Sequence, residues 1–288
     1  RLYCWFGSAG MYCYSLDGTL LWKRDFGQVR VGASRGEGCS PVLHHGRIII
    51  VRDHSGQSSI EVLEAATGQT VWKHTRDEKN AWATPKIFTE DGERTQVITA
   101  ASKFIRSYDL DTGEIIWQCS GLTGNVTPSP VIYNDMVICM SGYEGHSVMA
   151  LKLDSKGDVS GSSAVVWSGD KGTPYIPSPL LFDDQLYFTQ SNKGILTSLN
   201  VTTGEAIIER TRLPDIQNIY ASPVGANSHV YFAGRTGSVV VLKHANELNV
   251  VATNKLDDEF NASPVPVGDC LYLRGRQYLY CIGENKNN

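Results

Sequence analysis

A chain of 288 residues with 41% hydrophobic and 19% charged residues is globular in composition, and its Val, Ile, Tyr and Trp fall in short runs that favour strands. Its 26 Lys and Arg against 30 Asp and Glu give a net charge of −4, without a basic block able to neutralise several phosphates, which argues against a nucleic-acid partner. The longest apolar runs, such as Arg47–Val51, are strand-sized and far short of the roughly 18 residues of a membrane-spanning helix.

Leu2-Tyr-Cys-Trp-Phe6 reads as a strand from the outset, behind Arg1 and not a Met, so the chain is expected to be a truncated or processed product. A hairpin then recurs: a strand, a tight Asp-Gly or Thr-Gly turn, and a strand ending on a large apolar residue. It reads Cys13-Tyr-Ser-Leu-Asp-Gly-Thr-Leu-Leu-Trp22, Val62-Leu-Glu-Ala-Ala-Thr-Gly-Gln-Thr-Val-Trp72 and Ser107-Tyr-Asp-Leu-Asp-Thr-Gly-Glu-Ile-Ile-Trp117. Later copies drift. Val148–Leu153 is followed by a long polar insertion before Trp167, Ser198–Ile208 ends on Ile, and Val239–Leu242 with Leu248–Val251 has lost the Thr-Gly.

Between these hairpins stands a second marker, a Ser/Thr-Pro that opens an apolar run. Its prolines, Pro41, Pro85, Pro130, Pro179, Pro223 and Pro264, are 44, 45, 49, 44 and 41 residues apart. Proline suits the start of a strand, where its missing N–H removes no ladder bond. A turn such as His45-Gly46, Asn134-Asp135 or Asp183-Asp184 leads to a second strand, a Gly-rich loop to a third, and the Thr-Gly turn to a fourth. Four-stranded units of this length predict an all-β fold, a β-propeller formed by residues 1–288 as a single domain. Trp22, Trp72, Trp117 and Trp167 are read as structural, each ring lying between adjacent blades. Seven blades are visible. The first begins at its second strand and the last, Ser263–Ile282, lacks its fourth, so an N-terminal segment is expected to be missing.

The chemistry-bearing residues are sparse. Seven cysteines occur without a Cys-x-x-Cys or an adjacent pair, so buried free thiols are expected, Cys4 and Cys13 being the one pair on neighbouring strands whose geometry needs checking. His44-His45 falls at a predicted turn, and Asp183-Asp184 at another. Without a His-Glu-x-x-His, a Gly-x-Ser-x-Gly or a phosphate-cradling loop, no catalytic residue and no metal ligand is nominated. The informative residues precede each Ser/Thr-Pro, where the chain enters a new blade on the face around the axial channel. They are Glu37, Arg76, Trp82, Asn125, Lys171, Tyr175, Tyr220, Asp258 and Asn261, with Arg35, Asn80 and Asn218 beside them. Aromatic, amide and charged groups there form either a ligand or partner surface, or caps on the channel that satisfy backbone groups.

Tyr108-Asp-Leu-Asp-Thr-Gly-Glu-Ile-Ile-Trp117, echoed at 14–22, 63–72 and 199–208, resembles the quinoprotein-type (PQQ-like) repeat. That repeat builds the eight-bladed pyrroloquinoline-quinone (PQQ) dehydrogenases and the bacterial outer-membrane assembly lipoprotein of the same fold. WD40 repeats would show Trp-Asp, whereas the Trp residues here precede Lys23, Lys73, Gln118 and Ser168. The stretches 121–130, 171–179, 218–223 and 252–258 are similar to planctomycete-type secreted or periplasmic PQQ-like propellers. The resemblance implies an eighth blade and a periplasmic or other extracytoplasmic location. The quinone enzymes use a Ca²⁺ site, an Asp base and often adjacent cysteines; no residue here matches that pattern, so neither PQQ nor Ca²⁺ is expected. The function expected is a non-catalytic binding or assembly scaffold for a protein, peptide or glycan, with a PQQ-dependent oxidoreductase as the alternative.

Overall fold

The computed structural model describes residues 1–29, 36–89 and 94–283. Among the described residues it is strands joined by turns, save one 3-10 turn at Gly7–Ala9. The strands form seven sheets built on meanders, in which neighbours such as Leu2–Trp5 and Met11–Tyr14 pair antiparallel.

Sheet 1 holds Leu2–Trp5, Met11–Tyr14 and Leu20–Arg24, and sheet 2 holds Val42–His44, Arg47–Arg52, Ser58–Glu64 and Thr70–Arg76. Sheet 3 begins with Lys86–Thr89, Thr95–Ala100, Ile105–Asp109 and Ile115–Cys119. Sheet 4 runs Val131–Tyr133, Met136–Ser141, Ser147–Lys152 and Val165–Gly169. Sheet 5 contains Leu180–Phe182, Gln185–Thr189, Ile195–Asn200 and Ala206–Arg212. Sheet 6 contains Val224–Ala226, His229–Ala233, Ser238–Lys243 and Val250–Lys255, and sheet 7 Val265–Val267, Cys270–Arg274 and Leu279–Gly283. Four-stranded antiparallel meanders repeated along a chain are the blades of a β-propeller. By internal contacts the chain forms two compact units, Arg1–Cys139 with Met149–Val166, and Met140–Val148 with Trp167–Asn288.

The turns follow from their residues. His45 and Gly46 both take positive φ, 41° and 76°, as a two-residue hairpin requires, and Asn227 and Ser228 do the same at 49° and 59°. At the Thr-Gly turns an Asp or Asn side chain caps the backbone. Asp109 Oδ1 accepts from the amides of Asp111 and Thr112 at 2.9 and 2.7 Å, and Asn200 Oδ1 from those of Thr202 and Thr203 at 2.9 and 3.1 Å.

The fourth-strand Trp residues dock on the Thr-Gly turn of the following sheet. Trp22 Nε1 donates to Ala65 O at 3.2 Å, Trp72 to Leu110 O at 2.7 Å and, in the second unit, Trp167 to Val201 O at 3.0 Å. Three residues beyond each carbonyl stands a glycine. A Cβ on Gly68, Gly113 or Gly204 would lie 2.9, 2.7 or 2.6 Å from the corresponding indole. The turn's glycine therefore provides both a positive φ and room for the ring. Trp117 is the variant. It donates to Gln96 Oε1 at 3.1 Å, and Gln96 Nε2 passes the bond to Leu153 O at 2.9 Å.

The polar insertion after Leu153 departs from the four-strand scheme. Gly157–Asp158 pairs in parallel with Trp117 and Gln118 and makes sheet 3 five-stranded. Gln118 fixes it by donating Nε2 to Asp158 Oδ2 at 2.9 Å while its carbonyl accepts the Val159 amide at 2.9 Å.

The Ser/Thr of the Ser/Thr-Pro marker has its own task. The Ser40 amide donates to Thr84 Oγ1 and the Thr84 amide to Ser129 Oγ, both at 3.2 Å. In the second unit Ser178 N reaches Ser222 Oγ at 2.9 Å and Ser222 N reaches Ser263 Oγ at 3.0 Å. A hydroxyl accepts where no strand of the same sheet can, so one residue is bonded to its counterpart a repeat away.

The cysteines are free. Cys4 and Cys13 lie on paired strands, but Cys4 stands opposite Tyr12 and Cys13 opposite Tyr3. A one-residue offset places their side chains on opposite faces of the sheet.

Candidate functional site in the lead-in loops

The segments before each Ser/Thr-Pro pack against the loop between the second and third strands of the neighbouring sheet. Short backbone bridges join them, Asp53 with Ala81, Lys193 with Asn218 and Phe260 with Gly275. What differs between the two units is how far the side chains are already engaged.

In the first unit they are engaged almost completely. Glu37 pairs with Arg52 at 2.8 Å, each side chain 9% exposed, and Arg52 also donates to Phe26 O and Gly27 O. Arg76 is turned inward. It forms a bidentate pair with Asp53 at 2.8 and 3.0 Å, both side chains 1% exposed, and donates to Thr99 Oγ1 and to Tyr108 OH at 2.6 Å. Burial opposes the guanidinium's charge, but Asp53 and Tyr108 raise its pKa above the ordinary value. Glu78 accepts the amides of Lys103 and Phe104 and pairs with Arg106 at 2.8 Å; burial pushes its carboxyl up. Trp82, half-buried, donates Nε1 to Gly36 O at 3.0 Å. Asn125 sits at φ 55° with its amide donated to Ser102 Oγ at 3.1 Å. Asn80 Oδ1 accepts from Ser55 Oγ at 3.1 Å, and Arg35 lies outside the described residues.

The second unit presents more to solvent. Asp258 is the exception: it is buried, and its carboxylate accepts the amides of Glu259, Arg276, Gln277 and Tyr278 together with the Tyr280 hydroxyl. Burial alone would raise its pKa, but these donors hold it below the usual carboxylate value. It closes the loop after Arg274. Asn261 is exposed and accepts from Arg235 Nε at 2.9 Å, and the Arg235 guanidinium lies 4.3 Å above the half-buried Tyr220 ring. Its terminal nitrogens make no hydrogen bond among the described residues. Tyr175 packs against Tyr143, ring centres 4.7 Å apart and planes tilted by 35°, with Tyr143 45% exposed, while Lys171 reaches into solvent. The Gln190–Lys193 loop lies between these groups. Ser191 O accepts the Tyr175 amide at 3.0 Å and Asn192 O the Ile219 amide at 2.9 Å.

Thus the structure joins Tyr220, Asn261 and the sequence-silent Arg235 in one cluster, and Tyr175 with the equally silent Tyr143 in another. An Arg laid on an aromatic face with its fork uncommitted is preorganised for a planar carboxylate or a carbonyl edge. Among the described residues, no three His, Cys, Asp or Glu side chains gather as a metal ion requires.

Repeats, sheets and docking tryptophans together define a quinoprotein-type β-propeller. The family model described as "Outer membrane protein assembly factor BamB" matches residues 1–210, and the chain belongs to that family. The crystal structure of BamB from Moraxella catarrhalis superposes with a TM-score of 0.53 at 16% identity, covering 100% of this chain and 94% of that one. A computationally designed protein, Ika8, superposes with a TM-score of 0.62 at 13% identity over 96% of this chain and 82% of its own. Among the curated proteins none matches.

Proposed function

We propose that this chain is a non-catalytic scaffold that binds protein partners outside the cytoplasm, in outer-membrane protein assembly or a related task. Membership of a family named for such an assembly factor supports the task and the location, and no helix among the described residues is long and apolar enough to cross a membrane. The observation that carries the reading is the Tyr220–Arg235–Asn261 cluster. Tyr and Arg dominate binding energy at protein interfaces, and a guanidinium already held by two neighbours loses little freedom on binding. Lys171, Tyr143 and Tyr175 extend the surface on the other side of the Gln190–Lys193 loop.

The experiment is co-purification after mild cross-linking in the source bacterium, comparing wild type with Tyr220→Ala/Arg235→Ala. Envelope assembly proteins recovered with the wild type should fall at least tenfold with the double variant, at unchanged thermal stability. Undiminished recovery removes this surface; no partner with the wild type removes the scaffold reading. The competing reading, a PQQ-dependent oxidoreductase, would show as quinone absorbance retained through gel filtration with Ca²⁺.

A further inference from the structure

The loop cations are balanced differently in the two units. In the first, Arg52, Arg76, Lys103 and Arg106 stand beside Glu37, Asp53, Asp77 and Glu78 in turn. In the second, Arg276 has Glu259 at 3.7 Å, but Lys193, Arg212 and Arg235 form no ion pair among the described residues.

Backbone bonds gather these cations. The peptide unit between Asn218 and Ile219 points its two polar groups in opposite directions, as a trans peptide must. Its N–H donates to Asn192 O and its carbonyl accepts from Arg235 N, both at 2.9 Å, and Lys193 is bridged to Asn218. The loops carrying Lys193 and Arg235 therefore flank one segment, about two strand spacings or roughly 10 Å apart. Beside Lys193 opens a groove of about 580 Å³, floored by Leu213 and Ile216, each 1% exposed, and rimmed by Lys193, Arg212, Asp215 and Gln217. Asp215 is the one carboxylate in that lining, against two cations.

Exposed cations grouped without acids repel one another and add nothing to the fold; they favour association with an anionic surface. Arg235 shows the form of that anion. Its Nε is held by Asn261 and its plane by Tyr220, which leaves the terminal nitrogens for a carboxylate. An apolar floor next to the Lys193 ammonium fits a peptide side chain. In an extended peptide, side chains two residues apart share a face at about 7 Å and residues three apart span roughly 10 Å, which matches the separation of the two loops.

We propose that this surface receives an acidic, extended segment of a partner protein, with two carboxylates two or three residues apart. One meets the free edge of the Arg235 guanidinium, the other lies against Lys193 and Arg212, and a neighbouring side chain covers Leu213 and Ile216. The proposal rests on the scaffold reading above and adds the chemistry that the partner must present.

The test uses the full chain and two fluorescently labelled octapeptides as probes, one of alternating Glu and Ser, the other of alternating Gln and Ser. At about 50 mM NaCl the Glu peptide should bind saturably and at least tenfold tighter than the Gln peptide, and about 300 mM NaCl should weaken it severalfold. Lys193→Gln/Arg235→Gln should lose at least tenfold, Lys193→Gln alone at least threefold, and Lys156→Gln, an exposed cation of the first unit, nothing. Equal binding of the two peptides, binding retained by the double variant, or an equal loss in Lys156→Gln overturns the proposal. Should the double variant not fold, unchanged binding to Lys193→Gln overturns it. The scaffold reading answers to the co-purification experiment. Partners lost there with Tyr220→Ala/Arg235→Ala while the Glu peptide fails to bind overturn the acidic segment alone; no partner recovered with the wild type removes both.

Discussion

Trp72 donates its indole N–H to the Leu110 carbonyl at 2.7 Å, and Gly113, three residues along the same turn, has no room for a Cβ beside that ring. The pairing converts a local sequence feature, a Thr-Gly turn, into a long-range one, because the turn of one sheet is shaped to accept the tryptophan of another. An isolated antiparallel sheet of four short strands buries little on its own, and each indole supplies a large apolar area together with one directional bond that fixes how neighbouring sheets meet.

Gly113→Ala tests this relation. Gly113 has φ +78°, and the new Cβ would lie 2.6 Å from His74 Nε2 and 2.7 Å from the Trp72 ring, so a loss of about 2–4 kcal/mol is expected in chemical denaturation. Gly18→Ala, at φ +90° with nothing within 4 Å, carries the backbone strain without the clash and should lose about 1 kcal/mol. Equal losses would show that the ring contact contributes nothing.

Gln96→Leu should be more harmful than its conservative size suggests. Gln96 accepts from Trp117 Nε1 at 3.1 Å and Ser107 Oγ at 2.6 Å and donates to Leu153 O at 2.9 Å. Leucine leaves three buried polar groups without partners, and at about 1–3 kcal/mol per group a total loss of about 3 kcal/mol or more should appear in urea titrations.

The repeat made much of the fold legible in the sequence. Turns at His45-Gly46 and Asp183-Asp184, strands such as Met136–Ser141, and tryptophans at fixed places in the hairpins are local signals with a period. The rest depends on pairs far apart in the chain. Nothing in one sequence joins Gln96 to Trp117 and Leu153, gives the Ser40 amide to Thr84, or turns the insertion at Gly157–Asp158 into a parallel strand. The same limit applied to the site. The position of Arg76 before a Ser/Thr-Pro marker was readable, but its buried partner Asp53 was not, and Arg235 and Tyr143 lie in loops between second and third strands that carry no marker at all.

The Asp53–Arg76 pair yields a double-mutant cycle. Both side chains are 1% exposed, so Asp53→Asn or Arg76→Met alone strands a buried charge, at a loss of about 3–5 kcal/mol. The double variant removes both charges and should lose less than the sum of the two single losses. Strict additivity in denaturation would contradict the pairing.

Protonation of Asp258 should contribute to acid unfolding. Its folded pKa lies below the ordinary 3.8, so the stability it adds is present above that value and is lost as pH falls through the folded pKa. Asp258→Asn should be less stable than wild type at neutral pH, with the difference shrinking towards pH 2. A pH-independent difference would contradict the carboxylate's role.

Thiol titration reports the packing of the sheets. Cys13, Cys39, Cys119 and Cys139 are buried, and burial pushes the Cys39 thiol up to about 12. At pH 8 these four should react with Ellman's reagent only as the protein unfolds, while exposed Cys281 reacts at once. Rapid reaction of all seven would contradict the core described.

The claim that the second-unit loops meet a protein partner is tested most directly by site-specific photo-cross-linking in the source bacterium, with p-benzoylphenylalanine placed at Tyr220, at Tyr175 and, as a strand control, at Val166. Illumination should yield discrete cross-linked bands containing an outer-membrane assembly protein from positions 220 and 175 and none from 166. The same bands from all three positions, or from 166 alone, would contradict it.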